Sequence, residues 1–201
     1  MTTKVQSDMV NIDGATVATV AVGDKFNFLD ITDSLVKEDT IQGILDLAGA
    51  PDLLIYTDQA AAGSAAGDAH AASAFRTIVI TNEITDSGGH GALSSNQITL
   101  AAGTYRVHAN IAARANAGSA SNAMLRFYDT TNTTTLVVGT VPNDQSSAQN
   151  GFALFLRGQF TLSGSAACEL QVYSDQNIST GTGTVNFGEV NIAAVVYLEK
   201  V

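Results

Sequence analysis

Three histidines, His70, His90 and His108, and one cysteine, Cys168, are the side chains of this 201-residue chain best suited to proton transfer, metal ligation or nucleophilic attack near neutral pH. Their settings do not support such work. His70 lies in the Ala/Gly-rich "QAAAGSAAGDAHAASA" and is expected to be exposed, with no partner ligand nearby. His108 shares a strand face with Thr104, Arg106 and Asn110, opposite Tyr105, Val107, Ala109 and Ile111, and no carboxylate or second histidine stands at a ligand spacing from it. It reads as a structural cross-strand residue. Cys168 opens "CELQVY", where alternation groups it with Leu170 and Val172 and predicts a buried, inert thiol. A single cysteine forms no disulfide within the chain.

The carboxylates offer two further possibilities. "DITD" (Asp30, Asp33) and "DLLIYTD" (Asp52, Asp58) lack the ordered oxygen ligands of a calcium loop. Paired carboxylates also serve glycosidases, but Asp86, Asp129, Asp144 and Asp175 fall in loops without a pattern. "GGHGALSS" (Gly88–Ser95) has the composition of a cradle for an anion or sugar, and its plainer reading is a flexible loop between strands. No G-x-S-x-G elbow, P-loop, H-E-x-x-H or dinucleotide fingerprint occurs, and "AAGSAAG" has the wrong spacing for a nucleophile elbow. The "NTT" at Asn132 and "NIS" at Asn177 match glycosylation sequons, but "MTTKVQSDMVNIDG" is not a signal peptide, so they are expected to go unused. No enzyme activity, cofactor or metal is expected.

Composition narrows the partners. The formal net charge is −10, which argues against nucleic acid, and no apolar run reaches the roughly 18 residues of a membrane span. Charged residues make up only 14% of the chain, so its polar surface must come from Thr, Ser, Asn and Gln. Such a surface suits packing against further copies. Residues 1–72 hold eleven acidic and three basic residues, and residues 73–201 hold eight and six. The two parts are therefore expected to face different surroundings.

The elements that position these residues divide the chain at 1–58, 59–74 and 75–201. The first part mixes weakly alternating strands around "VATVAVGDKFNFL" with one short helix in "DSLVKEDTIQGILDLAGAP". Ile41, Ile44, Leu45 and Ala48 have helical spacing, Asp39 or Thr40 caps the start, and Gly49 with Pro51 ends it. The second part reads as a linker or extended arm. The third is β throughout, with expected strands at 75–81, 97–100, 103–113, 124–129, 136–139, 152–162, 168–174, 185–188 and 190–199. Strands at this spacing, parted by Gly, Asn, Ser and Thr clusters, predict an all-β antiparallel sandwich or jelly roll. In "GFALFLRGQFTL" both faces carry apolar residues: Phe152, Leu154 and Leu156 on one, Ala153 and Phe155 on the other. One sandwich buries one face, so another subunit is expected to cover the second.

The segments "ITLAAGTYRVHANIAA", "AMLRFYDTTNTTTLVVGT" and "GFALFLRGQFTLSGSAACELQVYSDQNISTGTGTVNFGEVNIAAVVYLEKV" resemble, in this order, the jelly-roll domain at the tips of phage fibres and capsid-head decorations. That domain is similar in turn to the trimeric C1q and tumour-necrosis-factor fold. The shared pattern is an L-x-A-G-T-Y-x-V entry, a strand ending R-F-Y-D, a G-x-F-T-L strand, an E-L-Q-V-Y strand and a closing V-x-I-x-x-V-x-L-x-K strand, over about residues 75–201. The resemblance implies a homotrimer with aromatic residues at its threefold axis, for which Phe152, Phe155, Tyr173 and Phe187 are the candidates by strand position. It implies a structural role at a virion surface, for a protein made in the host cytoplasm.

The chain lacks the long coiled-coil or β-helix shaft of a tail fibre, which suits a compact knob mounted on a shell at a threefold point. Residues 1–58 are then expected to dock on the major capsid protein or another virion protein, with Phe26, Phe28 and Leu29 of "KFNFLDI" as anchors. Their alternative role is packing a small N-terminal domain. Two other readings stay open. One is a short tail fibre or receptor-binding tip, whose Asn-, Ser- and Thr-rich loops suit a host-surface glycan. The other is a non-viral C1q-like binding module.

Overall fold

The structure, a computed structural model, describes residues 25–30, 35–40, 52–115, 121–141, 143–144, 151–181 and 188–201. The chain forms two compact units, Met1–Ala50 and Pro51–Val201. In the first, β1 (Lys25–Asp30) and β2 (Leu35–Thr40) pair antiparallel, with Phe26 opposite Asp39, Phe28 opposite Lys37 and Leu29 opposite Val36. The segment expected to lead into a helix is thus β over Leu35–Thr40, where it finds a partner strand six residues long. The helically spaced Ile41, Ile44, Leu45 and Ala48 lie outside the described residues.

The second unit is built of strands, and no helix occurs among its described residues. In chain order these are β3 (Asp52–Ala60), β4 (Ala69–His70), β5 (Arg76–Thr77), β6 (Asn82–Asp86), β7 (Gly91–Ser94), β8 (Gln97–Leu100), β9 (Gly103–Ala115) and β10 (Ser121–Asp129). Then come β11 (Thr134–Val138), β12 (Asn143–Asp144), β13 (Gly151–Leu162), β14 (Ala166–Ser174), β15 (Ile178–Thr180) and β16 (Asn191–Lys200). They pair antiparallel in two sheets. One runs β13–β9–β16–β3–β6, with β15 also on β9 and β4 on β15. The other runs β11–β10–β14–β8–β7, with β12 on β10 and β5 on β14. This is a jelly-roll sandwich.

Alternation turns one face of each sheet inward. Tyr105, Val107, Ala109, Ile111 and Ala113 of β9 are buried, as are Leu154, Leu156, Phe160 and Leu162 of β13. Across from them lie Ala123, Leu125 and Phe127 of β10 and Cys168, Leu170 and Val172 of β14, all buried. The Phe160 ring joins the sheets, 5.6 Å from Tyr105 and 5.4 Å from Phe127. Each large aliphatic or aromatic side chain among them contributes about 1.5–3 kcal/mol by leaving water. Gly158 breaks the inward series of β13 because Val137 fills the space: a Cβ there would sit 2.5 Å from Val137 Cγ1.

The sandwich starts earlier than the sequence reading placed it. β3 pairs along its length with β16, so residues 52–58 belong to the sandwich and not to an attachment region. The expected linker at 59–74 holds the end of β3, a turn closed by Ser64 N–H donating to Ala61 O, and β4. His70, expected to be exposed, is buried and hydrogen-bonded through Nε2 to Thr180 Oγ1 at 3.1 Å. Burial lowers its pKa, against Asp68, which raises it, and with Arg76, which lowers it. The expected strand at 75–81 shrinks to β5, after which Ile78 and Ile80 enter the core. "GGHGALSS" is not a flexible loop throughout, because Gly91–Ser94 pair with β8. Among the described residues no helix is long and apolar enough to cross a membrane.

Candidate interaction surface

β16 runs between β9 and β3, so three central strands carry the outer face of the first sheet. Register aligns the outward positions in rows. Phe155 (β13) stands beside Asn110 (β9) and Val195 (β16); Arg157 beside His108, Tyr197 and Ile55 (β3); Gln159 beside Arg106, Glu199 and Leu53. A sheet facing water should carry polar residues here. Instead Phe155 is 48% exposed, and Tyr197 and Leu53 are 39% exposed. Val195 and Ile55 are half-buried beside them. Together these strands leave a shallow cavity of about 590 Å³, lined in part by Leu53, Arg106, His108, Arg157, Gln159 and Tyr197.

Polar groups share this face: Asn110, Arg157, His108, Gln159, Arg106 and Glu199 stand among the apolar side chains. Arg106 pairs with Glu199 at 3.4 Å, an exposed ion pair of the kind that stabilises by at most about 1 kcal/mol. The His108 ring lies 6.1 Å from that of Tyr197, and its Nε2 is buried without a hydrogen-bond partner. Burial, then the neighbouring Arg157, lowers the His108 pKa. A second apolar feature adjoins the face. Val138, the last residue of β11, and Val141 just beyond it are 54% and 55% exposed, and a Cβ on Gly139 would collide with Phe155 O.

The four interface candidates do not share one face. Phe155 is on the outer face just described. Phe152, of opposite parity on β13, is half-buried and packs against the core. Tyr173 is on the other sheet, half-buried, with its ring 5.4 Å from Phe75. Phe187 lies outside the described residues. Sequence reading did not join Tyr197 or Leu53 to this face: the pairing of the last strand was not legible, and Leu53 lay in a segment assigned to another domain.

The outer face of the second sheet is closed upon itself. Arg126 Cζ lies 3.5 Å from the centre of the Phe75 ring and 4.1 Å from that of Tyr128. Its Nε donates to Gln171 Oε1 at 2.8 Å. Glu169 accepts from Thr77 Oγ1, Gln97 Nε2 and Gln171 Nε2 at 2.7, 2.9 and 2.6 Å.

The remaining chemical candidates resolve into structure. Asp52 and Asp58 lie near opposite ends of β3, about 20 Å apart at the strand rise of ~3.3 Å per residue, too far for a carboxylate pair acting on one bond. Asp52 Oδ2 bonds His90 Nε2 at 2.7 Å, and Lys200 Nζ approaches His90 Nδ1 at 3.2 Å. Asp86 fills the turn once considered as an anion cradle: its carboxylate accepts from the backbone N–H of His90 at 3.0 Å and of Gly91 at 2.8 Å. The chain thus supplies its own anion. Burial, with Asp129 nearby, pushes the Cys168 thiol up to about 12. Among the described residues no group of three or more His, Cys, Asp or Glu is placed to hold a metal.

No protein-family model and no curated protein matches the sequence. Solved structures do resemble the fold. Eiger TNF from S. frugiperda is 11% identical, with 75% of this chain and 92% of that chain covered and a TM-score of 0.50. Murine APRIL at pH 5.0 is 8% identical over 75% and 99% of the two chains, with a TM-score of 0.48. PRD1 vertex protein P5 is 18% identical over 76% and 99%, with a TM-score of 0.41. At these identities the likeness bears on the fold alone, and the match to Eiger TNF agrees with a jelly roll.

Proposed function

We propose that this chain is a non-enzymatic structural protein that assembles as a trimer and mounts a jelly-roll knob on a virion shell, as a capsid decoration. The observation that carries the assembly is the outer face of β13, β9, β16 and β3, where Phe155, Tyr197 and Leu53 stand exposed among polar neighbours. It has the composition of a surface that another copy covers. The edge formed by Phe155, Val138 and Val141 and the cavity lined by Leu53 and Tyr197 are different patches of one subunit. An edge-to-face contact between copies is therefore heterologous, and such a contact forms a ring when the rotation between copies closes, a third of a turn each for a trimer. The virion placement rests on the sequence resemblance described above and on the separate acidic unit, Met1–Ala50, which suits attachment. In this reading Phe26, Phe28 and Leu29 meet the major capsid protein or another virion protein.

Light scattering on the purified chain tests the assembly. The expected mass is about three times 20.7 kDa, and Phe155→Asp is expected to reduce it to a single copy while the β signature persists. A single-copy mass for the unaltered chain would refute the trimer. For the shell, removal of residues 1–50 is expected to abolish binding to particles, and full binding by the truncated chain would refute docking through that unit. A receptor-binding tip remains the second reading, favoured by the exposed turn at 131–133, which Asp129 rigidifies by accepting from Asn132 N and Nδ2 at 2.9 and 2.8 Å. It predicts adsorption of the free protein to host glycans.

A further inference from the structure

One row of paired positions crosses the first sheet from edge to edge. It runs from Arg157 on β13 through His108 on β9, Tyr197 on β16 and Ile55 on β3 to Thr85 on β6. At a strand spacing of ~4.8 Å its ends lie about 19 Å apart. The two edges differ in charge. Arg157 stands exposed on β13, on the same face as Phe155. On β6 the register shifts: Ile55 pairs with Thr85 and Tyr56 with Glu83, so Ile84 is the extra residue of a β-bulge. A bulge at a sheet edge re-aims side chains. Here Ile84 is 52% exposed, with Glu83 exposed beside it. Among the described residues the side chains of Arg157 and Glu83 enter no hydrogen bond or ion pair, whereas Arg106 in the next row is engaged by Glu199.

Resting on the trimer reading, we propose that these edges are the two halves of one contact between copies: β6 of one copy, with Ile84 and Glu83, meets β13 of the next, and Glu83 pairs with Arg157 across the contact. The contact continues the surfaces already described. The β13 edge carries Phe155 with Val138 and Val141 near it, and β6 flanks β3, whose Leu53 lines the receiving cavity. Charge sets the direction of assembly. A twofold contact through β13 brings two Arg157 side chains to one interface, and a twofold contact through β6 brings two Glu83 side chains together. Like charges placed together across an interface suppress that pairing. β13 against β6 joins opposite charges, and this contact is heterologous, as a ring requires. The pair itself adds modest attraction. Its larger effect is to disfavour the twofold dimer.

The test is light scattering over a dilution series, with circular dichroism as the check on folding. It compares the full chain with Arg157→Glu, Glu83→Arg and the variant carrying both. Each single reversal is expected to raise the concentration at which copies separate by at least about tenfold, because it turns the pair into a like-charge contact. The double variant restores opposite charges and is expected to return to within about threefold of the unaltered chain. Single reversals that leave the dilution curve unmoved overturn the pairing alone, as does a double variant as weak as the singles. If a reversed variant loses the β signature, Arg157→Gln and Glu83→Gln take its place. Each is expected to weaken assembly by about two- to fivefold, and the two together by little more than either. Losses that are absent, or that simply add, overturn the pairing. A single-copy mass for the unaltered chain overturns the trimer reading, and the contact with it.

Discussion

At the scale of residues, two carboxylates respond to pH with opposite signs. Burial raises the pKa of Asp58, despite hydrogen bonds from Gly67 and Thr81 that lower it. Its native state holds a proton to higher pH than the unfolded chain, whose aspartates titrate near ~3.9. The resulting stability is present below the unfolded value and is lost as pH rises through the folded one. Burial would also raise Glu169, but hydrogen bonds from Gln97, Thr77 and Gln171, with Arg126 nearby, bring it below the ordinary value. Its contribution is present above the unfolded pKa and is lost as pH falls through the folded one. Asp58→Asn is therefore expected to hold or raise stability at neutral pH and to flatten the loss on the way up from acid. Glu169→Gln is expected to lower stability at neutral pH by about 1–3 kcal/mol, since partners lose a charged acceptor. Urea midpoints at several pH values check both.

At the scale of elements, close approach between strands sets the tolerances. Gly158→Ala is expected to cost about 1–3 kcal/mol by driving its methyl into Val137. Val137→Ala added to it should recover part of that loss, which a thermal melt would show. The long strands were legible because their alternation is clean. β8 lies where the sequence placed it, and β9, β13 and β14 differ only at their ends. The face assignments also held: Tyr105, Val107, Ala109 and Ile111 point inward, with Arg106 and His108 opposite. β3 was missed because "LLIY" does not alternate, and it does not alternate because both of its faces are apolar in this sheet. β7 was missed because four residues within a Gly/Ser run carry little pattern. Its hairpin turns on Ser95 and Asn96, both at positive φ (50° and 66°), a geometry more often signalled by Asn-Gly. The apolar face was foreseen from Phe155. Its partners from β3 and β16 were not, because register across a sheet is a long-range property.

At the scale of the whole molecule, the boundary at Ala50/Pro51 changes where the charge lies. The first unit carries eight acidic and three basic residues, and the second carries eleven and six, so each has a net charge of −5. The first holds it in a third of the length, which concentrates the negative potential there. The same boundary decides which truncations are tolerated. A chain starting at Pro51 keeps every pairing of the sandwich and is expected to melt cooperatively with little loss of stability. A chain starting at Ala61 lacks β3, leaves β16 without one neighbour, and is expected not to fold. Circular dichroism melts of the two truncations distinguish these outcomes.

The pairing of β16 between β3 and β9 also orders events during synthesis. β3 is the earliest-made strand of the sandwich and β16 the latest, with Asp52 opposite Lys200. On the ribosome, β3 and β9 emerge without the strand that lies between them. The first sheet has a gap at its centre until residue 200 clears the exit tunnel. The second sheet, whose members all come from residues 76–174, has no such wait. The nascent chain can therefore assemble one half of the sandwich during translation, while the half that carries the apolar outer face closes only when translation has passed β16. In the trimer reading copies would then meet as finished subunits, because the exposed face is completed only in the step that finishes the sandwich.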